Sequence, residues 1–436
     1  MPWLTEAYMD ALPLSSTWLS HRENLICKTY MSRRSIVGMV VWMCLSELIF
    51  SGVLNGWAAF YEILDPKSPE AVTRVNWIYT IANMVAMVAW IPQGWVIDTW
   101  SSKVLLVSHA AIGVVGYMGM IFAAWVESQS EDMASTTAWI LWIMAECGVA
   151  ICSNGMHLAI MCYIPKLGAP WHPSVEVQNQ AISIFYTVTN GFYAAGPLVV
   201  WVVALGTGPR GWMGIGIYAG ITILLLMVVT GCLILGWEES TQWRSPQWPI
   251  LHLQRSHGEF MVANSIATYF LIGFVAMVTV RSPEWTRTFS VLLPCIGLFM
   301  TLVLSWIAKV PWWSWNGWVT KWIVVLIVTY AWSLCSILAS SLGVSGFWIA
   351  STVLYCIVCP IYYSVTAHYL EYLSMPETRG LLRGIVMAVG GPPLFSLTRW
   401  IGYSQKHGYG LWDMLQMGLL VGACIGMVLC LHRRHR

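Results

Sequence analysis

"GWVIDTWSSK", Gly94–Lys103, is where two long apolar runs meet. Residues 75–97 before it and 104–126 after it are overwhelmingly hydrophobic, whereas five of the six residues from Asp98 to Lys103 are polar. About twenty apolar residues in a helix span roughly 30 Å of hydrocarbon. The stretch therefore reads as the tight polar turn between one bilayer crossing and its return.

The same pattern recurs outward in both directions. Hydrophobic residues make up 58% of the 436 and charged residues only 10%. A soluble domain carries about 25% charged residues and could not cover so much apolar surface. Apolar runs separated by charged or Gly/Pro-rich breaks give twelve spans, at 36–60, 75–97, 104–126, 136–161, 180–203, 212–236, 260–280, 289–308, 319–341, 345–368, 383–402 and 411–431. The 28 tryptophans suit such a chain, because Trp favours the lipid–water interface. The expected fold class is all-α: a polytopic membrane protein of twelve transmembrane helices in two six-helix bundles, with the lipid bilayer as its surroundings.

Lysine and arginine set the orientation. With both termini cytoplasmic, 15 of the 22 basic residues fall on the inner side, as the positive-inside rule requires. The longest internal polar connection then lies inside and divides six spans from six. The expected organisation is a cytoplasmic N-terminal segment (1–35), a first bundle (36–236), a loop (237–259), a second bundle (260–431) and a basic tail (432–436). "NGFYAAGP" in the fifth span (Asn190 to Pro197) and "VGGPP" in the eleventh (Val389 to Pro393) occupy matching places in the two halves, as in repeat-built transporters.

Other classes find little support. The first 34 residues contain Glu6, Asp10 and Glu23 and read against a cleavable signal peptide. Net charge is +2, so no nucleic-acid partner is expected. Cys356 and Cys359 form a CxxC inside an apolar span without an accompanying His, which suits helix packing rather than a metal; no cofactor is expected. Gly206–Gly211 spells G-x-G-x-x-G but contains a proline and follows no strand, so it is a chance match. No P-loop and no compact His/Asp/Glu/Ser group suggests an enzyme.

The opening stretch resembles the signature of the major facilitator superfamily, Gly-x-x-x-Asp-x-x-Gly-Arg-Lys/Arg, in the loop after its second helix. Gly94, Asp98 and Lys103 match, while Ser101 and Ser102 replace the usual Gly and Arg. The resemblance implies a carrier in which Asp98 helps latch one state of the cycle; Gly94, Lys103 and Arg379 are the other expected gating residues. "SELIFSGVLNGW" in the first span, "AICSNGMHLAI" in the fourth and "PETRGLLRGIVMAVGG" at the eleventh resemble the sodium-independent large-neutral-amino-acid uniporters. "VNWIYTIANM" followed by "WVIDT" resembles the heme- and choline-type facilitators nearly as well.

Two acidic residues lie deep within spans, Glu47 in the first and Glu146 in the fourth. In the superfamily these two helices line a central cavity, so the expectation is that both glutamates share it. A charge at mid-bilayer costs about 2.5–3.5 kcal/mol on insertion scales, and such residues face a cavity or a partner. Glu47, Ser51 and Asn55 form one polar stripe; Glu146, Asn154 and His157 form a second; Tyr186, Asn190 and Tyr193 form a third. With Tyr269 they, His157 excepted, are the expected solute-binding residues. Packing through interhelical hydrogen bonds is the alternative for each. For the glutamates three readings stand: proton coupling, attraction of a solute ammonium, and a structural carboxyl. Isolated His109 in the third span reads as a packing histidine.

The expected function is facilitative or proton-linked transport of a small polar solute by alternating access, neutral amino acids first. The alternatives are choline, heme or another organic solute, or a receptor that keeps the fold without the cycle. A small-molecule substrate, protons and a monomeric state are the expected partners and assembly, with the plasma membrane preferred over an organelle.

Overall fold

A computed structural model of the chain describes residues 33–51, 69–129, 136–168, 175–196, 198–200, 202, 212–237, 255–281, 292, 295–300, 303, 318–373 and 378–434. Asn55, most of the eighth span, the Gly206–Gly211 stretch and most of the loop between the halves lie outside them, as does the side chain of Asn190.

Within hydrocarbon every backbone N–H and C=O must be satisfied inside the protein, which leaves the helix as the form these apolar runs can take. The first half comprises α1 (Arg33–Phe50), α2 (Pro69–Thr99), α3 (Ser102–Ser128), α4 (Thr136–Gly168), α5 (Val175–Ala195) and α6 (Trp212–Gly236). The second comprises α7 (Arg255–Arg281), α8 (Trp318–Leu342), α9 (Ser345–Leu373) and α10 (Arg379–Ala388). A 3-10 turn (Pro392–Ser396) leads from α10 into α11 (Leu397–His407), and the chain ends in α12 (Gly410–Leu415) and α13 (Val421–Arg434). Among the described residues eight helical stretches are long and apolar enough to cross a bilayer, and Ser35–Phe50 is a shorter apolar helix.

The eleventh span, expected as one helix over 383–402, is broken in the middle. Gly390, Gly391, Pro392 and Pro393 interrupt it, because Pro removes a donor and neither residue type holds a regular helix well. α12 is likewise separated from α13 by a π-helical turn at Gln416–Leu420.

Helices α1 to α6 pack chiefly within the first half and α7 to α9 and α11 to α13 chiefly within the second, whereas α10 packs chiefly on α2. The α3–α4 contact is the tightest inside the first half. Gly116 lies so close to α4 that a Cβ there would sit 2.8 Å from the backbone nitrogen of Val149. Between the halves the main contacts are α2 with α10 and α5 with α9. In the orientation set by the basic residues, both lie in the inner part of the molecule.

Candidate functional site

Helix α1 brings Glu47 into the first half near its middle, with the residue only 2% exposed. Its partner is on α4: His157 Nδ1 lies 2.9 Å from Glu47 Oε1. The imidazole lies tilted against the ring of Tyr193 of α5, 4.4 Å between centroids, and Trp90 of α2 meets it edge-on at 6.1 Å. The Tyr193 hydroxyl points to Asn154 Oδ1 at 3.4 Å, and its carbonyl accepts from Ser51 Oγ at 2.6 Å. Ser51 Oγ also lies 2.7 Å from the Glu47 carbonyl one turn back, so its one hydroxyl hydrogen is shared between the two carbonyls. Four helices thus converge on one buried acid–imidazole pair framed by two aromatic rings. A buried carboxylate needs such a donor, since an unpaired charge there is far costlier than a paired one.

Five residues expected on polar faces are assembled here: Glu47, Ser51, Asn154, His157 and Tyr193. The Glu47–His157 pairing itself spans 110 positions of sequence and was not visible in it. Others are placed elsewhere. Glu146 does not meet Glu47; it is fully buried within the first half, in electrostatic contact with Tyr79, Tyr117 and Tyr218. Glu146 and His157 share a face of α4 but are eleven residues apart, about 16 Å along the axis, so they meet different neighbours. Tyr269 belongs to the second half, where its hydroxyl lies 2.9 Å from Ser396 Oγ and its ring packs on Phe270 and Trp412.

Tyr186 faces the boundary between the halves. Its hydroxyl donates to the Met161 carbonyl at 2.9 Å and accepts from Arg383 Nη2 of α10 at 2.8 Å. The Arg383 guanidinium lies 5.3 Å from the centre of the same ring and also donates to the Ala367 carbonyl. Beside it, Thr187 of α5 and Ser364 of α9 share a hydrogen bond of 3.1 Å. In the sequence Arg383 is one of the basic residues that fall on the inner side. Its spacing of one helical turn from Arg379, at the mouth of an apolar run, was the available signal.

The residues of the opening stretch sit at the second inter-half contact. Both carboxyl oxygens of Asp98 accept backbone N–H bonds from the first turn of α10, Gly380 at 2.8 Å and Leu381 at 2.7 Å. A helix N-terminus offers unpaired donors and a partial positive charge, so a carboxylate fits it. Arg379 and Lys166 add electrostatic attraction. Gly94 makes the approach possible: a Cβ there would stand 2.2 Å from the Gly380 carbonyl oxygen. Lys103 works within the first half, donating to the Trp237 carbonyl at 3.1 Å. Ser101, which replaces the signature's glycine, caps α3 by accepting from Val104 N–H.

His109 is satisfied on both ring nitrogens. Nε2 meets the Gln93 amide at 3.0 Å and Nδ1 meets the Leu105 carbonyl at 3.0 Å, which assigns the proton to Nδ1. The Gln93 amide also donates to the Ile151 carbonyl, tying α2, α3 and α4 together as a packing feature.

The architecture is the major facilitator fold. No family model matches the sequence, and no curated protein sequence does. Solved structures do match. The chain is similar to a bacterial homologue of the iron transporter ferroportin in an outward-facing state, with a TM-score of 0.64, 13% identity, and 90% and 99% of the two chains covered. It is similar to the proton:xylose symporter XylE, with a TM-score of 0.65, 11% identity, and 92% and 95% covered. For the E. coli fucose:proton symporter FucP the values are 0.64, 11%, 93% and 100%. At these identities the likeness is one of fold.

Proposed function

We propose that the chain is a secondary transporter that moves a small polar organic solute by alternating access, with Glu47 and His157 at the solute site. The observation that carries this reading is the buried Glu47–His157 pair beside a boundary closed on the inner side by Asp98 and Arg383. An acid–imidazole pair is an exchangeable contact. A solute ammonium can take the place of the imidazole on Glu47, and the released His157 can accept a bond from the solute. The neighbours of the same fold are described as a homologue of an iron transporter, a proton:xylose symporter and a fucose:proton symporter, which suits transport without choosing the solute.

Neutral amino acids are the solute class we put first. Support comes from the first-, fourth- and eleventh-span resemblances and from a carboxylate paired with an imidazole that lies between Trp90 and Tyr193, so that an ammonium on Glu47 would have aromatic surface close by. The test is uptake by proteoliposomes from a panel of radiolabelled neutral amino acids, choline and heme. Glu47→Gln is expected to reduce uptake of the transported solute by about tenfold or more, the loss of a charge-assisted contact. Absence of uptake for every neutral amino acid ends that reading. Full uptake by both Glu47→Gln and His157→Gln ends the site assignment.

A further inference from the structure

Thr80, Thr99, Thr189, Thr222 and Thr352 each donate the side-chain hydroxyl to the carbonyl four residues back. That bond satisfies a threonine inside a membrane helix, where no water is at hand to take its proton. Thr230 of α6 departs from the pattern. It is 5% exposed, and its hydroxyl finds no hydrogen-bond partner among the described residues. Thr222, two turns earlier on the same helix, donates to the Tyr218 carbonyl at 2.8 Å. An unused hydroxyl in hydrocarbon is costly, so this one suits an acceptor from outside the chain.

The hydroxyl belongs to a groove. α3 and α6 part over about 280 Å³, between Val107, Ala110 and Val114 on one side and Leu226, Thr230 and Gly231 on the other. A glycine helps to make the gap, since a Cβ on Gly231 would meet nothing within 4 Å. Thr230 is the one polar side chain among the lining residues, and Val107 and Met227 at the rim are exposed. Threonine in a helix has two accessible χ1 rotamers, so the hydroxyl can turn to an acceptor in the groove. α3 and α6 pack on α1, α2, α4 and each other. The groove therefore opens on the lipid-facing wall of the first half, away from the boundary between the halves.

Its polar groups follow the order of a phospholipid. Lys103 lies one turn before Val107 on the same face of α3, and its ammonium is held at the inner end of α6 by the Trp237 carbonyl, at 3.1 Å. The cation thus stands at the inner mouth of the groove, at the level of lipid headgroups. Thr230 lies two turns deeper along α6, and the apolar walls continue past it to Leu226 and Val114. Cation, hydroxyl and apolar channel match phosphate, ester carbonyl and acyl chain in sequence. A sterol brings no anion to the mouth.

We propose that the α3–α6 groove binds one phospholipid of the inner leaflet, with its phosphate at Lys103, an ester carbonyl on the Thr230 hydroxyl and one acyl chain between the helices. Because it lies on the lipid-facing wall, the site stands whether or not the chain moves a solute.

Photo-crosslinking reads the site. The full chain, purified in detergent and stripped of lipid, is titrated with a phosphatidylcholine that carries a diazirine high in one acyl chain. Labelled peptides are mapped by mass spectrometry. Saturable labelling is expected at 107–114 and 226–234, at probe levels that leave the exposed apolar face of α8, with Ile323 and Ile327, unlabelled. Equal labelling of both faces at every probe level overturns the proposal.

Three variants of the groove sharpen the test. Gly231→Leu fills it and should remove the saturable labelling; parent-like labelling overturns the groove as the site. Thr230→Val keeps the shape without the hydroxyl, and should raise the half-saturating probe concentration about two- to tenfold, the scale of one hydrogen bond. Thr230→Ser should restore the parent value. No change in Thr230→Val, or an equal loss in Thr230→Ser, overturns the role of the hydroxyl. Two further probes identify the occupant. A diacylglycerol with the same diazirine lacks the phosphate and should bind more weakly; equal affinity overturns the contact at Lys103. Saturable labelling by a cholesterol probe, with none by the phospholipid, overturns the phospholipid as occupant.

Discussion

Where α2 meets α10, the two halves touch backbone to backbone; where α5 meets α9 and α10, they touch through hydroxyls and a guanidinium. The first contact runs Gly94 against Gly380 and Trp90 against Gly384, with Asp98 closing its inner end on two N–H groups. The second consists of Thr187–Ser364 and Tyr186–Arg383. Backbone contact is unforgiving of added atoms, whereas side-chain hydrogen bonds can be traded for bonds to water as the halves part. The difference suggests a division of labour. The glycine seam sets the geometry in which the inner end closes, and the polar seam makes that closure reversible.

The strongest way to break this comparison is to thicken the glycine seam. Gly94→Ala places a methyl 2.2 Å from a carbonyl oxygen that cannot move aside. Overpacking of this kind costs about 1–3 kcal/mol or more. The expected outcome is a lower Tm and an inner end newly open to membrane-impermeant labelling. Gly402, whose Cβ would meet nothing, is the matched control and should tolerate alanine.

Next comes the latch. Asp98→Asn keeps the shape but removes the charge that faces the start of α10 and exchanges one acceptor for a donor. Hydrogen bonds to charged groups are worth about 1.5–3 kcal/mol each. Labelling at the inner end should increase, by less than for Gly94→Ala. If Asp98→Asn labels like the parent chain, the carboxylate is not what holds this seam.

Smaller effects are expected at the polar seam. Tyr186→Phe removes the acceptor for Arg383 and the donor to Met161 while keeping the ring under the guanidinium. A loss of about 1–2 kcal/mol in closure is expected, the scale of one or two side-chain bonds. Thr187→Ala should cost about 0.5–1.5 kcal/mol. A double-mutant cycle with Ser364→Ala should return a coupling energy near that value. Additivity in that cycle would mean that the 3.1 Å bond contributes nothing to closure.

How much of this was legible in the sequence depends on the range of the interaction. The spans could be read because hydrocarbon forces each apolar run into its own helix, a constraint that acts locally. Asp98 and Gly94 were marked by their spacing, but their partners Gly380 and Leu381 lie more than 280 positions away. Helical periodicity put Glu146 and His157 on one face of α4. It could not show that, at different depths along a packed helix, one face meets different neighbours. Arg383 was hidden differently, because a basic residue at an inner helix end already has a topogenic explanation.

The central claim is that a molecule closed at its inner end by these two seams opens there during its cycle. Distance measurement by electron spin resonance tests it most directly. Labels attached by cysteine-independent chemistry at Trp100, exposed just beyond the inner end of α2, and at Ile323, exposed near the inner start of α8, report the separation of the halves. The account predicts one short distance in the parent chain and a second, longer population when Asp98→Asn and Tyr186→Phe are combined. A single distance, identical in both proteins, would contradict it.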